Sequence, residues 1–235
     1  AYLEKALSTL STKVNLEKGD VYLKPQFYSN DEAITKELKT YNNYLLKWIR
    51  FDMGKKHYET IQPTDIKEWL AIGDDASVSV DKDKMSSWVE NFCLKYKTVG
   101  KTRSFKSHTG EILQVSGGDY GWQIDYRQTV EQIYNAITAE SKEADVNAYL
   151  SKQSKENSKK LLTKLEPIYK NKAYKMNYEN PEEDYNTQTY SEVDISEQMV
   201  YVFQNGQVVY SAKCVTGLPS DATRSTKTGC WYIKD

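Results

Sequence analysis

The stretch Met199-Val200-Tyr201-Val202-Phe203-Gln204-Asn205-Gly206-Gln207-Val208-Val209-Tyr210 decides how the C-terminal part of the chain folds. Two apolar runs flank Asn-Gly, and both central residues of a type I′ turn need positive φ, which these two residues accept most readily. The stretch therefore predicts a β-hairpin. With Asn205 and Gly206 as its loop, Phe203 faces Val208, Tyr201 faces Tyr210 and Met199 faces Ala212, while Val200, Val202 and Val209 take the other side. Both faces carry apolar residues, so the hairpin expects cover on both.

Working outward, Ser191-Glu192-Val193-Asp194-Ile195 alternates and reads as a strand leading into the hairpin. Downstream, Gly217, Pro219 and Gly229 break the chain before Cys230-Trp231-Tyr232-Ile233, which reads as the start of a further strand. A short sheet with two apolar faces does not stand alone, and the sequence stops at Asp235. The expectation is a second domain of which only the opening is present.

The first half has a different period. Ser29-Asn30-Asp31-Glu32 reads as a capping box, and Ile34, Leu38, Tyr41, Leu45 and Trp48 recur at helical spacing, predicting a helix over 30–50. Pro63-Thr64-Asp65 starts a second helix through Leu70. A third follows Asp81, with Met85, Trp88, Val89, Phe92 and Tyr96 as its stripe. Glu111–Val115 and Trp122–Asp125 read as strands, and Asp125 with Gln128 caps a helix whose buried side is Val130, Ile133, Tyr134 and Ile137. Before all of these come a short helical pattern, a turn at Lys18-Gly19-Asp20 and a strand at Val21-Tyr22-Leu23.

The expected organisation is a lead-in at 1–20, an α+β domain at 21–140, a polar linker or surface extension at 141–188 and a mostly-β unit at 189–235. In the α+β domain, helices pack on a small antiparallel sheet. Within the polar stretch, Leu161, Leu162 and Leu165 suggest one more helix, stopped near Pro167.

Composition excludes several classes. Of 235 residues, 32 are Lys or Arg and 33 Asp or Glu, a net charge of -1 that argues against nucleic acid as a partner. The mean hydropathy of -0.74 leaves no apolar run long enough for a membrane span. No signal peptide opens the chain, so a secretion signal or membrane anchor is expected upstream of residue 1. The 28 Lys against 4 Arg suit weak attraction to an anionic wall, and a base-composition bias gives the same count.

Chemistry-bearing residues are scarce. Three cysteines, Cys93, Cys214 and Cys230, form no Cys-x-x-Cys pair, and Cys93 reads as a small buried hydrophobe. Two histidines, His57 and His108, leave little material for a metal site or a triad, so we expect no catalytic, cofactor or metal residues in this chain. Glu192 and Asp194 share one strand face about 7 Å apart, and a solvated face accounts for them better than glycosidic chemistry.

The turn Gly117-Gly118-Asp119-Tyr120-Gly121-Trp122 has two readings. Tyr120, Trp122 and the nearby Tyr126 are candidate contacts to sugar or peptide. Alternatively the glycines supply a tight turn and Trp122 is buried, which is the favoured account. Trp48, Trp69 and Trp88 read as core.

Tyr190 to Gln198, then Val200 to Val209, then Val215-Thr216-Gly217 resemble the start of an L,D-transpeptidase catalytic domain of the YkuD type. In that family an aromatic strand follows Thr-Pro-Thr-Gly; here Thr226-Lys227-Thr228-Gly229 precedes Cys230-Trp231-Tyr232-Ile233, with Lys227 in place of Pro. Residues 20–140 resemble the peptidoglycan-binding-like domain that precedes such catalytic domains in Gram-positive bacteria.

The resemblance implies a cell-wall enzyme that takes an acyl donor stem peptide, forms a cysteine thioester and passes the acyl group to an amine. That makes 3→3 cross-links without metal or organic cofactor. The family's His-Gly and Ser-x-Gly-Cys segments do not occur in the sequence. Catalytic Cys and His are thus expected beyond Asp235, and this chain alone is expected to be inactive. The partners implied are peptidoglycan stem peptides, and the location is the cell wall or the outer face of the cytoplasmic membrane. Oligomeric state stays open. The alternatives are a non-catalytic wall-binding module or pseudoenzyme, and a purely structural surface protein.

Overall fold

The computed structural model describes residues 2–10, 12–16, 26–142 and 161–233. The turn read at Lys18-Gly19-Asp20 and the strand at Val21-Tyr22-Leu23 lie outside these residues. A short helix α1 (Tyr2–Ser8) opens the chain.

The first helix of the N-terminal unit, α2 (Glu32–Leu45), is shorter than its apolar spacing suggests. Its N-cap is Asp31, and no side chain caps it; the Asp31 carboxylate instead accepts from the Tyr28 amide at 2.8 Å. The capping box read at Ser29 and Glu32 therefore does not form. Tyr41 and Tyr44 pack against the core, while Leu38 stays 57% exposed.

Trp48 does not continue the helix. It begins β1 (Trp48–Gly54), where Ile49, Phe51 and Met53 alternate inward. A period of two takes over because every second residue from Ile49 is apolar, and in a strand these three share one face. Lys55 and Lys56, both at positive φ, turn β1 into antiparallel β2 (His57–Ile61).

On the other edge of β1 lies β8 (Leu162–Leu165), parallel to it with Ile49 opposite Thr163 and Phe51 opposite Leu165. The helix read at Leu161, Leu162 and Leu165 is thus a strand, because pairing with the open edge of β1 satisfies its backbone. The Trp48 amide also donates to the Leu161 carbonyl.

Between these strands in sequence come α3 (Pro63–Trp69), the short pair β3 (Leu70–Ile72) and β4 (Val78–Val80), and α4 (Lys82–Lys95). The hairpin β5 (Arg103–Lys106) and β6 (Ile112–Val115), β7 (Gln123–Ile124) and α5 (Tyr126–Thr138) follow. Strand β9 (Tyr169–Asn171) pairs with β7.

Asp81 and Asp125 are true N-caps, their carboxylates accepting backbone amides of the first turns of α4 and α5. Met85, Val89 and Phe92 of α4 and Val130, Ile133 and Ile137 of α5 cover Ile49, Phe51 and Met53. Trp69 is in this core and Trp88 packs at its margin, with Phe92 stacked on it at 5.3 Å. The N-terminal unit is α+β, as the periodicities predict.

The second unit is a meander of β10 (Tyr190–Asp194), β11 (Met199–Gln204) and β12 (Gln207–Lys213). Asn205 and Gly206 have φ of 53° and 75°, so the hairpin turn is the one the sequence predicts. Phe203 faces Val208 as expected. A bulge between Val202 and Phe203 then shifts the register, placing Val202 opposite Tyr210, Tyr201 opposite Ser211 and Met199 opposite Lys213. The cover expected on both faces does not reach β12, where Val208, Val209 and Tyr210 are 44%, 57% and 60% exposed. Among the described residues no helix is long and apolar enough to cross a membrane.

Candidate functional site: the joint between the two units

Arg103, the first residue of β5, is almost fully buried and organises the joint. Its Nε donates to Asp184 Oδ1 at 2.8 Å and its Nη2 to Asp184 Oδ2 at 2.9 Å. Nη2 also reaches the Thr98 carbonyl at 3.0 Å, Nη1 the Lys101 carbonyl at 3.1 Å, and the Thr98 hydroxyl donates to Asp184. A paired guanidinium spends its donors on fixed acceptors, so this is a buried rivet rather than a free anion receptor.

The Gly117–Trp122 turn seats the segment after Thr228. The Cys230 amide donates to the Gly117 carbonyl at 3.1 Å, and the Tyr120 amide donates to the Cys230 carbonyl at 3.0 Å. Residues 230–233 are therefore not the strand that their apolar run suggests; the turn offers an unpaired donor and acceptor, and Cys230 takes both. Glycine is required here. At φ +86° a Cβ on Gly118 would lie 1.9 Å from the Cys230 carbonyl oxygen.

Tyr120 and Trp122 come together at this joint, half-buried. The Tyr120 hydroxyl donates to the Asp184 carbonyl at 3.3 Å and accepts from the Tyr174 amide at 3.0 Å; its ring lies 4.8 Å from Tyr232. The Trp122 indole donates to the Lys175 carbonyl at 2.9 Å, with its ring edge-on to Tyr169. Their polar ends thus bind the chain's own backbone. Tyr126 is elsewhere in sequence context, at the first residue of α5 and 40% exposed.

Two of the cysteines, Cys93 and Cys230, are held as thiols by burial. Burial pushes the Cys93 thiol up to about 11. Burial also raises Cys230, and the opposing pull of Arg103 beside it does not cancel this, since Asp184 already neutralises that cation.

A second contact joins the units around His108, in the turn between β5 and β6. Its backbone amide donates to Glu192 Oε2 at 2.9 Å, and Nδ1 lies 2.9 Å from Glu192 Oε1. Nε2 lies 3.2 Å from Glu197 Oε2, and the ring stacks on Tyr201 at 3.9 Å. The Glu192 hydrogen bond raises the His108 pKa against the opposing effect of desolvation, with Glu197 and Asp194 adding to the rise. The Glu197 hydrogen bond pushes Tyr201 up to about 12.

Glu192 is therefore not on a solvated face: it is 7% exposed, and its neighbour Val193 is 50% exposed. The face of β10 that carries Glu192 is covered by the β5–β6 turn. His108, Glu192 and Asp194 can place one ligand atom each within 4.8 Å of one another, a group that could hold a metal and that the scarcity of histidines had argued against.

These features define a two-part chain, a helix-covered α+β unit riveted to a β-meander. The chain belongs to the putative peptidoglycan binding domain family, which matches residues 29–146, half its length, and it continues into an L,D-transpeptidase catalytic domain matched at residues 188–235. Comparison with curated proteins gives no significant match.

Two solved structures are similar. One is a crystal structure of a cysteine-to-serine mutant of the Enterococcus faecium L,D-transpeptidase, 21% identical, with a TM-score of 0.42 over 83% of this chain and 66% of that one. The other is the Ldtfm-avibactam carbamoyl enzyme, 20% identical, with a TM-score of 0.41 over 80% and 63%. The chain spans less than two thirds of the length of either.

Proposed function

We propose that this chain is the wall-directed scaffold and opening sheet of a cell-wall L,D-transpeptidase. The single observation that carries the reading is the order of the two family matches along one chain, 29–146 and then 188–235. The first unit holds the enzyme against peptidoglycan or spaces it from the membrane, and the meander β10–β12 is one wall of the acyl-transfer domain. The location that follows is the cell wall or the outer face of the cytoplasmic membrane.

The chemistry is that of a thiol nucleophile. A cysteine thiolate attacks a carbonyl of the donor stem, the terminal residue leaves as an amine, and the resulting thioester is opened by an acceptor amine to give a 3→3 cross-link. No metal or organic cofactor enters this sequence of steps. None of the three cysteines is assigned to it, because Cys93 and Cys230 have raised pKa values and no histidine is hydrogen-bonded to any of them among the described residues. The role of residues 188–235 is structural: they position strands on which the family's later His-Gly and Ser-x-Gly-Cys segments are built.

The test has two arms. The 235-residue chain, incubated with purified peptidoglycan sacculi, is expected to sediment with them. Supplied with a tetrapeptide stem and an acceptor amine, it is expected to give no cross-linked product by mass spectrometry. Failure to sediment removes the wall-directed role of the first unit, and turnover overturns the scaffold assignment.

A further inference from the structure

We propose that His108, Glu192 and Asp194 form a binding site for one divalent transition-metal ion, with zinc as the fitting representative, that clamps the β5–β6 turn to strand β10. The inference is independent of the transpeptidase reading and concerns how the two units are held together.

The donor set comes first. Imidazole with carboxylates suits zinc and its neighbours, whereas magnesium and calcium prefer all-oxygen shells. The three donor atoms lie within 4.8 Å of one another, and His108 Nδ1 is already 2.9 Å from Glu192 Oε1. Ligand atoms on a tetrahedral ion with bonds of about 2.0 Å sit roughly 3.3 Å apart, so the 2.9 Å pair opens slightly and any wider pair closes as the ion enters. The Nδ1 proton leaves to solvent as the ion takes the lone pair.

The surrounding groups are arranged as metal ligands need. With Nδ1 directed at the ion, the outer nitrogen Nε2 donates to Glu197 Oε2 at 3.2 Å, the carboxylate–histidine–metal arrangement that fixes ring orientation. The ring is further held by its stack on Tyr201, whose hydroxyl donates to the same Glu197 oxygen at 2.8 Å. Asp194 is oriented by the Ser196 amide and hydroxyl and the Glu197 amide, at 2.8, 2.6 and 2.9 Å, all to Oδ1. The His108 backbone amide holds Glu192 Oε2 and leaves Oε1 facing the imidazole.

Charge points the same way. Three carboxylates, Glu192, Asp194 and Glu197, face a single imidazole, and a divalent cation offsets that excess better than one proton does. His108 and Asp194 are only half-buried, which leaves an approach from solvent, and a water would complete a four-coordinate shell.

The test is zinc binding to the purified full chain after chelator treatment, with Cys93, Cys214 and Cys230 replaced by Ser so that thiols do not take the metal. One zinc ion per chain is expected by calorimetry, with a rise in melting temperature. Asp194→Asn should weaken binding roughly tenfold or more, and His108→Ala should abolish it. Cobalt(II) in place of zinc should give a visible absorption band that disappears in H108A. Asp194→Asn, at a partly exposed position, keeps the test decisive if His108→Ala unfolds. Absence of saturable binding at micromolar zinc, or binding that both variants leave unchanged, overturns the proposal.

Discussion

Arg103 and Asp184 meet side-on, two guanidinium N–H groups against two carboxylate oxygens, with 2% and 0% of their side chains exposed. Arg103 belongs to the hairpin of the first unit and Asp184 to the segment that leads into the second, so the pair fixes where that segment crosses. Removing one partner leaves an uncompensated buried charge. Asp184→Asn is expected to lower unfolding stability by about 3–5 kcal/mol, read from urea titration. The double variant Arg103→Met with Asp184→Leu should recover most of the loss, because it removes both charges together. A double variant no better than the single one would mean that the pair is required for its geometry.

Gly118 should tolerate no side chain. Gly118→Ala places a methyl group in the Cys230 carbonyl, so the segment from Thr228 to Tyr232 must lift from the turn. Alkylation of Cys230 should accelerate in that variant. Gly100→Ala is the control: it has φ +80° but nothing within 4 Å of the added carbon, and should cost only backbone strain of roughly 1–3 kcal/mol. Equal Cys230 alkylation rates in the two variants would show that the segment is not held by this contact.

Cys93 should be the slow thiol. With its pKa near 11, only about one molecule in a thousand carries the thiolate at pH 8. Iodoacetamide labelling followed by peptide mass analysis should find Cys93 nearly unmodified in the folded protein and fully modified in denaturant.

Asp125 gives the pH dependence its sign. The Gln128 backbone amide, then the Gln128 side chain, stabilises its charged form and holds its pKa below the ordinary carboxylate value. A depressed folded-state value means that the stabilisation is complete above the unfolded pKa of about 3.9 and is lost as pH falls through the folded one. Asp125→Ala should therefore cost about 1 kcal/mol at pH 7. The gap from the parent chain should narrow as pH falls below 4. A gap that stays constant down to pH 2 would mean that the carboxylate charge contributes nothing to the cap.

The local features were legible because their physics is local. The stripes of α4 and α5, the cap at Asp125 and the Asn205-Gly206 turn each depend on residues a few positions apart. Asn-Gly fixes the pairs that close the hairpin, and a bulge two residues on escapes it. The partnership of β1 and β8 joins positions more than a hundred residues apart, which no periodicity encodes, so apolar spacing alone predicts helix at both Trp48 and Leu162.

The His108–Glu192 contact spans 84 residues and inverts the usual rule on β10, with a carboxylate inside and Val193 outside. Period-two alternation identifies the strand and says nothing of which face is covered. An apolar residue flanked by two acids was the one available signal, and it needed the partner turn to be interpreted.

Strand β8 also governs how this protein can be divided. A fragment ending at residue 142 would retain α2 to α5 yet leave β1 with a bare row of donors and acceptors, the kind of surface that templates pairing between molecules. Such a fragment is expected to self-associate, as gel filtration or light scattering would reveal. One carried through Asn171 keeps both β8 and β9 and should remain dispersed, so the N-terminal unit is best produced with the returning strands attached.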